Sequence, residues 1–450
     1  MNPTISGSQG GPVPATPASE TRPSLPRRRW RIAWLLFFGV LVNYFDRVNL
    51  SVSHDALIGT FGISEVMFGY LSSAYNLTYA ALQMPIGIIL DKLGVRKVGR
   101  IGTFLWSLAT FGAAATPTLG GLFGARFLLG VGEAPTFPAN AKAIGEWFPP
   151  RERSFATSLF DSAAKFASVP GVPIIGFVLL KFGWRLSFVF TGIVSVLYFL
   201  LFWWIYREPD EDPGLTQVER DYIECVDRTS PSSYTSGPEL SLWSLMRQKK
   251  VLGVFIGFGA YNYVFYMLLT WLPTYLSQAL HIDLMHSFLY TSVPWILATI
   301  TDLFVGGWLV DSVIQHGGNA DRIRRTVLIV GTAFGLGIFG AAHAHSAAHA
   351  LFWISISIGG LAAAAPVLWS SPSLIAVPKN VGKVGGIINF SGQISGITAP
   401  IITGYVVQDF HSYAWAFIIP VVYILLGIAG YIFLLGRIEL PASATAAPQA

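Results

Sequence analysis

The sequence predicts an all-α membrane protein of about twelve transmembrane helices in two pseudo-symmetric six-helix halves. Three observations predict it. Of 450 residues, 53% are hydrophobic and 12% charged, and the mean hydropathy is +0.55, more apolar surface than one soluble core can bury. The apolar residues recur in runs of roughly 20, the length that carries a helix across a bilayer core. A polar stretch at 207–249 divides these runs into two matching sets.

This composition excludes a water-soluble enzyme. Lys+Arg 29 against Asp+Glu 24 leaves a net +5, an excess that acts through its placement in loops, so no nucleic-acid partner is expected. The single cysteine, Cys225, excludes an intrachain disulfide and a Cys-cluster metal site, and reads as an incidental thiol.

In chain order, residues 1–29 are rich in Pro, Ser, Thr and Gly and have no apolar run before the arginines at 27–29, so they read as a disordered tail rather than a signal peptide. The first half, 30–206, holds spans near 31–53, 66–90, 98–116, 118–141, 154–180 and 185–206. The linker 207–249 follows. The second half, 250–437, holds spans near 250–279, 286–311, 325–344, 347–376, 380–408 and 412–436, and 438–450 reads as a second tail. Loop cations set the orientation. Arg27 to Arg31, Lys92 to Arg100, Arg151 and Arg153, Arg247 to Lys250, Arg322 to Arg325, and Lys379 with Lys383 fall on one side. The opposite loops hold little beyond Lys181 and Arg185, so both termini are expected to be cytoplasmic.

The halves echo each other, as in transporters built from structural repeats. Gly87 and Asp91 close the second span and are followed by Lys92, Gly94, Arg96 and Lys97; Gly307 and Asp311 repeat the spacing after the eighth. Glycine lets helices approach, and the Asp can cap a neighbour or pair with loop cations, so Gly87, Asp91, Arg96 and Asp311 are expected to form a conformational latch.

The stretch from Gly87 to Lys97 resembles the signature loop of the major facilitator superfamily, and the two halves agree with that fold over nearly the whole chain. Asn43 to Arg47, Arg126 to Pro138, Glu146 to Arg153 and Gly385 to Phe390 further resemble the anion:cation symporter family. Within it the likeness is greatest to bacterial galactonate, glucarate and hexuronate uptake proteins. The resemblance implies proton-coupled import of a sugar acid across a bacterial inner membrane, with protons as the coupling ion, no other cofactor, and a monomer as the working unit.

Ionisable groups inside spans are costly and mark function. Asp46 and Arg47 are neighbours on one helix, about 100° apart, and cannot face the same partner. Arg126 and Glu133 lie two turns apart on one face. At ~1.5 Å per residue Asp46 lies ~10 Å deep, Arg126 ~12 Å and Glu133 ~22 Å. Arg126 is therefore the level partner expected for Asp46, with Glu133 deeper and alone, and an unpaired buried carboxylate can carry a proton reversibly. The resemblance implies the same roles: Asp46 and Glu133 carry protons, Arg126 tunes Asp46, and Arg47 meets the substrate carboxylate. The bland alternative is an inert pair between Asp46 and Arg126.

Polar groups at helical spacing complete a pocket. Tyr75, Tyr79 and Gln83 recur every fourth residue, as do Asn389 and Gln393, giving hydrogen-bonding faces suited to hydroxyls. Tyr263, Trp369 and Ser370 join them, although packing explains Tyr263 and Trp369 as well as substrate contact does. His343, His345 and His349 lie in a loop without acidic or Cys ligands and read as solvated, so no metal is expected. Residues 87–97 lack the Gly-Lys-Ser/Thr ending of a nucleotide loop, so ATP drive is unsupported.

The fifth and eighth spans depart from the family pattern. Where relatives tend to carry Gln, this chain has Asp161 and Lys165, and Asp302 interrupts an apolar run. Lys165 lies ~16 Å and Asp302 ~14 Å from their cytoplasmic ends. Three arrangements fit: an ion pair between the halves, Lys165 as a second cation for a dicarboxylate, or a local pair of Asp161 with Lys165 at i,i+4. The partners expected overall are a small organic anion and membrane lipid. An exchanger of organic anions and an aromatic-acid transporter are the alternatives on the same fold.

Overall fold

The computed structural model describes residues 27–225 and 239–438. The expected tails up to residue 26 and from residue 439, and linker residues 226–238, lie outside it. No strand occurs among the described residues. The first span, Arg28–Val52, starts inside the expected tail, because Arg28 binds Asp212 at 2.7 Å and Arg29 binds Glu219 at 2.9 Å and Glu152 at 2.8 Å. These pairs hold the start of the helix against the linker.

A short helix, His54–Phe61, precedes a continuous stretch, Glu65–Ala115. Fifty-one residues would reach ~77 Å as one rod, against a bilayer core of ~30 Å. Gly94, at φ 76°, folds the stretch back on itself and makes it the second and third spans. Only glycine fits there, since a Cβ would come 2.8 Å from Glu208 Oε1 as well as strain the backbone. The fourth span runs as Leu119–Glu133 and, past a break at Ala134 and Pro135, Thr136–Trp147. The fifth is Pro150–Phe166 with Ser168–Phe182, and the sixth Trp184–Ile205. Short helices at Pro209–Glu211, Gln217–Cys225 and Leu242–Met246 occupy the linker.

The second half repeats this order. Lys249–Ala279 is the seventh span, Leu284–Gln315 the eighth, Ala320–Ala342 the ninth and Ala347–Ile375 the tenth. Pro378–Phe410 is the eleventh and Tyr413–Leu435 the twelfth. Among the described residues, 8 helices are long and apolar enough on their own to cross a membrane; the folded-back stretch, the broken fourth span and the more polar eleventh supply the other crossings. Large apolar side chains such as Trp204 and Phe433, 76% and 78% exposed, cover the outside, as suits a bundle whose solvent is lipid.

The halves meet tightly at the end away from the chain termini, here called the far end. Gln278 donates to Asp55 at 3.0 Å, Val66 N to Gln408 at 3.5 Å, and Ser292 to the Val169 carbonyl at 2.8 Å. At mid-depth Asn76 and Ser73 donate to the Gly396 and Ile397 carbonyls at 2.9 and 2.7 Å. At the opposite, tail end, Asp91 pairs with Lys142 at 3.0 Å and Arg96 pairs with Glu211 while its backbone N–H donates to Glu208. A Cβ on Gly87 would meet nothing within 4 Å. In this state the ion pairs of Asp91 and Arg96 stay within the first half and its linker. Asp311 is exposed, with Arg324 within electrostatic reach.

Candidate functional site

The first span carries the densest run of buried polar side chains in the bundle, with Asn43, Asp46, Arg47 and Asn49 all buried. Asp46 and Arg47 point apart, as their spacing requires. Arg47 turns toward the second and fourth spans. Its Nη2 donates to Asn43 Oδ1 at 2.8 Å, to Glu133 Oε2 at 3.3 Å and to the Tyr75 hydroxyl. The rings of Tyr44, Tyr75 and Tyr79 lie 4.2, 4.6 and 5.8 Å from its guanidinium carbon, so a cation sits in an aromatic cage that stabilises it without neutralising it.

Glu133 is fully buried and is not alone, which corrects the expectation from linear depth. Its Oε2 is the acceptor for Arg47, and its Oε1 has no hydrogen-bond partner. Small residues on the fourth span bring this about. Gly102 and Gly132 face each other so closely that a Cβ on Gly102 would stand 2.7 Å from the Gly132 carbonyl, and a Cβ on Gly130 would run into Thr78 and Tyr75. The fourth span thereby packs against the second and third, and carries Glu133 to Arg47.

Asp46 faces the sixth span, where Ser195 Oγ donates to its Oδ2 at 3.2 Å; its Oδ1 is unpartnered. Arg126 does not pair with it within 4.0 Å. Arg126 lies instead over Tyr75, ring centroid at 5.5 Å, with Nε and Nη1 buried and unpartnered. The two cations share the Tyr75 ring, and depth counting along separate helices had no access to that geometry.

Between the halves, Asn389 donates to Gln83 Oε1 at 2.9 Å, joining the two polar faces expected to line the pocket. Gln393 is buried with its Oε1 free of hydrogen bonds. Trp369 stacks on Phe137 of the first half at 6.2 Å and 8°. Tyr263 packs on Tyr423 of the twelfth span at 5.9 Å, and the Ser370 hydroxyl donates back to the Val367 carbonyl of its own helix. The Tyr263 hydroxyl is buried without a hydrogen-bond partner, whereas that of Ser370 is satisfied within its own helix. His343 and His349 direct ring nitrogens to the Phe339 carbonyl and the Trp353 indole.

Lys165 unites two of the arrangements open from sequence. Its Nζ stands 2.5 Å from Asp161 Oδ2 on its own span and 3.0 Å from Asp302 Oδ2 in the other half. Tyr44 is within electrostatic reach of this cluster and of Arg47. Asn43, Tyr44 and Tyr75 as ligands of Arg47 were legible only as members of a motif or of a helical stripe. Ser195 carried no signal at all.

Two helical halves around a mid-membrane set of charges are the architecture of a membrane transporter. The chain belongs to the Major Facilitator Superfamily, whose family model matches residues 36–316, and is thus a multi-pass membrane transporter and not an enzyme. It is 38% identical over 414 residues, 91% of this chain and 95% of the relative, to the uncharacterized transporter YybO of Bacillus subtilis. The D-galactonate transporter of Escherichia coli O6:H1 is 30% identical over 94% of this chain and 99% of its own length. The probable galactarate/D-glucarate transporter GudP of Escherichia coli K12 is 29% identical over 91% and 94%. Among solved structures, a bacterial homologue of the lysosomal transporter Spinster, inward-facing and occupied, superposes with a TM-score of 0.70 at 16% identity over 91% of this chain and 97% of its own. A D-xylose-proton symporter does so with 0.68 at 16% identity, over 92% and 98%. These two likenesses concern the fold alone.

Proposed function

We propose that the protein imports an organic anion, a sugar acid such as an aldonate, hexarate or hexuronate, together with protons across a bacterial inner membrane, with both termini cytoplasmic and the monomer as working unit. The observation that carries this is the contact of Arg47 with Glu133 inside a ring of tyrosines. A substrate carboxylate offers the guanidinium a better, two-pronged partner than a single oxygen at 3.3 Å. Once displaced, Glu133 would be a buried charge without a counter-ion in contact, and taking up a proton relieves that cost. Substrate binding and proton binding therefore favour each other, which is the coupling a symporter needs. Asp46, unpaired apart from Ser195, is the second proton carrier, and Arg126 the fixed charge that biases Asp46 and Glu133.

Tyr79, Gln83, Asn389 and Gln393 supply donors and acceptors for a polyol chain. The galactonate and galactarate/glucarate names carried by relatives support the same substrate class. Lys165 contacts two acidic side chains in this state, so its service as a second cation for a dicarboxylate requires release from at least one. The aromatic cage around Arg47 favours one alternative, an aromatic acid whose ring stacks on tyrosine, and an exchanger remains the alternative mode. Uptake by proteoliposomes of aldonates, hexarates, hexuronates and benzoates, with and without a pH gradient, tests the reading. Accumulation of a sugar acid only with an inward proton gradient is the expected result; gradient-independent exchange, or preference for benzoates, overturns it.

A further inference from the structure

A second buried cluster of charge joins the fifth and eighth spans, and its charges do not balance. One ammonium, Lys165, serves two carboxylates, Asp161 and Asp302. Lys165 is 2% exposed and Asp302 0%. With all three ionised the cluster would hold one uncompensated negative charge in a water-poor interior, a state that proteins avoid by keeping a proton on one of the groups. The geometry says which group. Asp161 accepts a hydrogen bond from Lys165 at 2.5 Å, in the favourable order of an acid four residues ahead of a lysine. Neither oxygen of Asp302 accepts a hydrogen bond from any side chain or backbone group, and the 3.0 Å approach of Lys165 to Oδ2 lacks hydrogen-bond alignment.

Among the described residues no second cation faces the cluster. Tyr261 of the seventh span and Tyr44 of the first are the other titratable groups facing the cluster. Where the tenth span packs behind it, Gly306 meets the Ala363 carbonyl and the Pro366 ring. Asp302 also opens a π-helical turn, Asp302–Leu309, a local widening that recurs at functional sites.

We propose that Asp302 is a third proton-carrying residue of the transport cycle, protonated while it faces Lys165 across the interface and deprotonated when the halves separate at its level. The proton then passes to water admitted between the separated halves, leaving Asp302 as a hydrated carboxylate, and is regained when the halves close again. This deepens the proton-coupled reading and rests on it.

The test uses the full-length protein in lipid, without substrate. Infrared spectroscopy at neutral pH is expected to show a protonated-carboxyl stretch that disappears in Asp302→Asn. The same band is expected to disappear in Asp161→Asn, where Asp302 is still present but one ammonium now matches one carboxylate. Absence of a band sensitive to Asp302→Asn, or its persistence in Asp161→Asn, overturns the proposal. Because this readout needs no transport, it fails or succeeds independently of the uptake assay. In proteoliposomes the number of protons moved per substrate is expected to fall by about one in Asp302→Asn, as each carboxyl contributes one proton per cycle; an unchanged ratio overturns the coupling role.

Discussion

Arg47 donates to Glu133 across 3.3 Å while the same nitrogen holds Asn43 at 2.8 Å. This single guanidinium therefore connects the first span to the fourth, and under the proposed function the substrate would compete with Glu133 for it.

Glu133→Gln keeps a hydrogen-bond acceptor for Arg47 but cannot take up or release a proton. Gradient-driven accumulation is expected to collapse to the equilibrium level, whereas counterflow of labelled substrate persists. Both are read in proteoliposomes, and full accumulation by the variant would mean that the proton is carried elsewhere.

Arg47→Lys replaces a planar fork by a point charge. One charge-assisted hydrogen bond is worth about 2 kcal/mol, so substrate affinity is expected to drop about thirtyfold. Isothermal titration with the sugar acid that the uptake panel selects measures the loss; unchanged affinity would reduce Arg47 to a structural partner of Glu133.

Lys165→Asp and Asp302→Lys are each expected to abolish transport, the first by placing three carboxylates together, the second by placing two ammonium groups beside one. The double swap retains one cation and two anions, and is expected to recover part of the uptake but not all. Asp161 would then stand at i,i+4 from a like charge, which costs a few tenths of a kcal/mol before any loss of geometry. Complete recovery would mean that Asp161 contributes nothing to the cluster.

A buried histidine bridge lies where the halves meet at the far end. His54, 1% exposed, bridges Asp55 and Glu65 at 2.7 Å each, and Asp55 in turn accepts from Gln278 of the other half. Tyr413 donates to Gln278 and the Trp271 ring lies against the imidazole, so the second half packs on the bridge at Asp55 and His54. Burial by itself would lower the His54 pKa, but the hydrogen bonds and charges of Asp55 and Glu65 hold it above the ordinary 6.5, while His54 pulls Asp55 below 3.8. In the unfolded chain the imidazole returns to its ordinary value. The bridge therefore stabilises the fold fully below pH 6.5 and loses that contribution as pH rises through the raised value. Thermal unfolding of the purified protein in detergent is expected to shift to lower temperature as pH rises above 6.5. His54→Gln should flatten that profile, and a retained pH response would assign it to other groups.

The sequence by itself determined the bundle. Runs of about 20 apolar residues, the repeated Gly and Asp after the second and eighth spans, and the polar linker follow from what a bilayer tolerates, and a bilayer reads composition one helix at a time. The divergence of Asp46 and Arg47 was legible for the same reason, since 100° per residue is a property of one helix. So was the shared level of Lys165 and Asp302, because both depths count from the same membrane surface. Only the tertiary structure decided the partners. Arg47 meets Glu133, and Arg126 does not meet Asp46, because the glycines of the fourth span draw that helix against the second and third. Ser195 reaches Asp46 from the sixth span, and His54 finds Glu65 across a turn of the chain. Which side chains touch depends on the rotation, tilt and separation of neighbouring helices, and those are set by packing across spans that no periodicity along one span encodes.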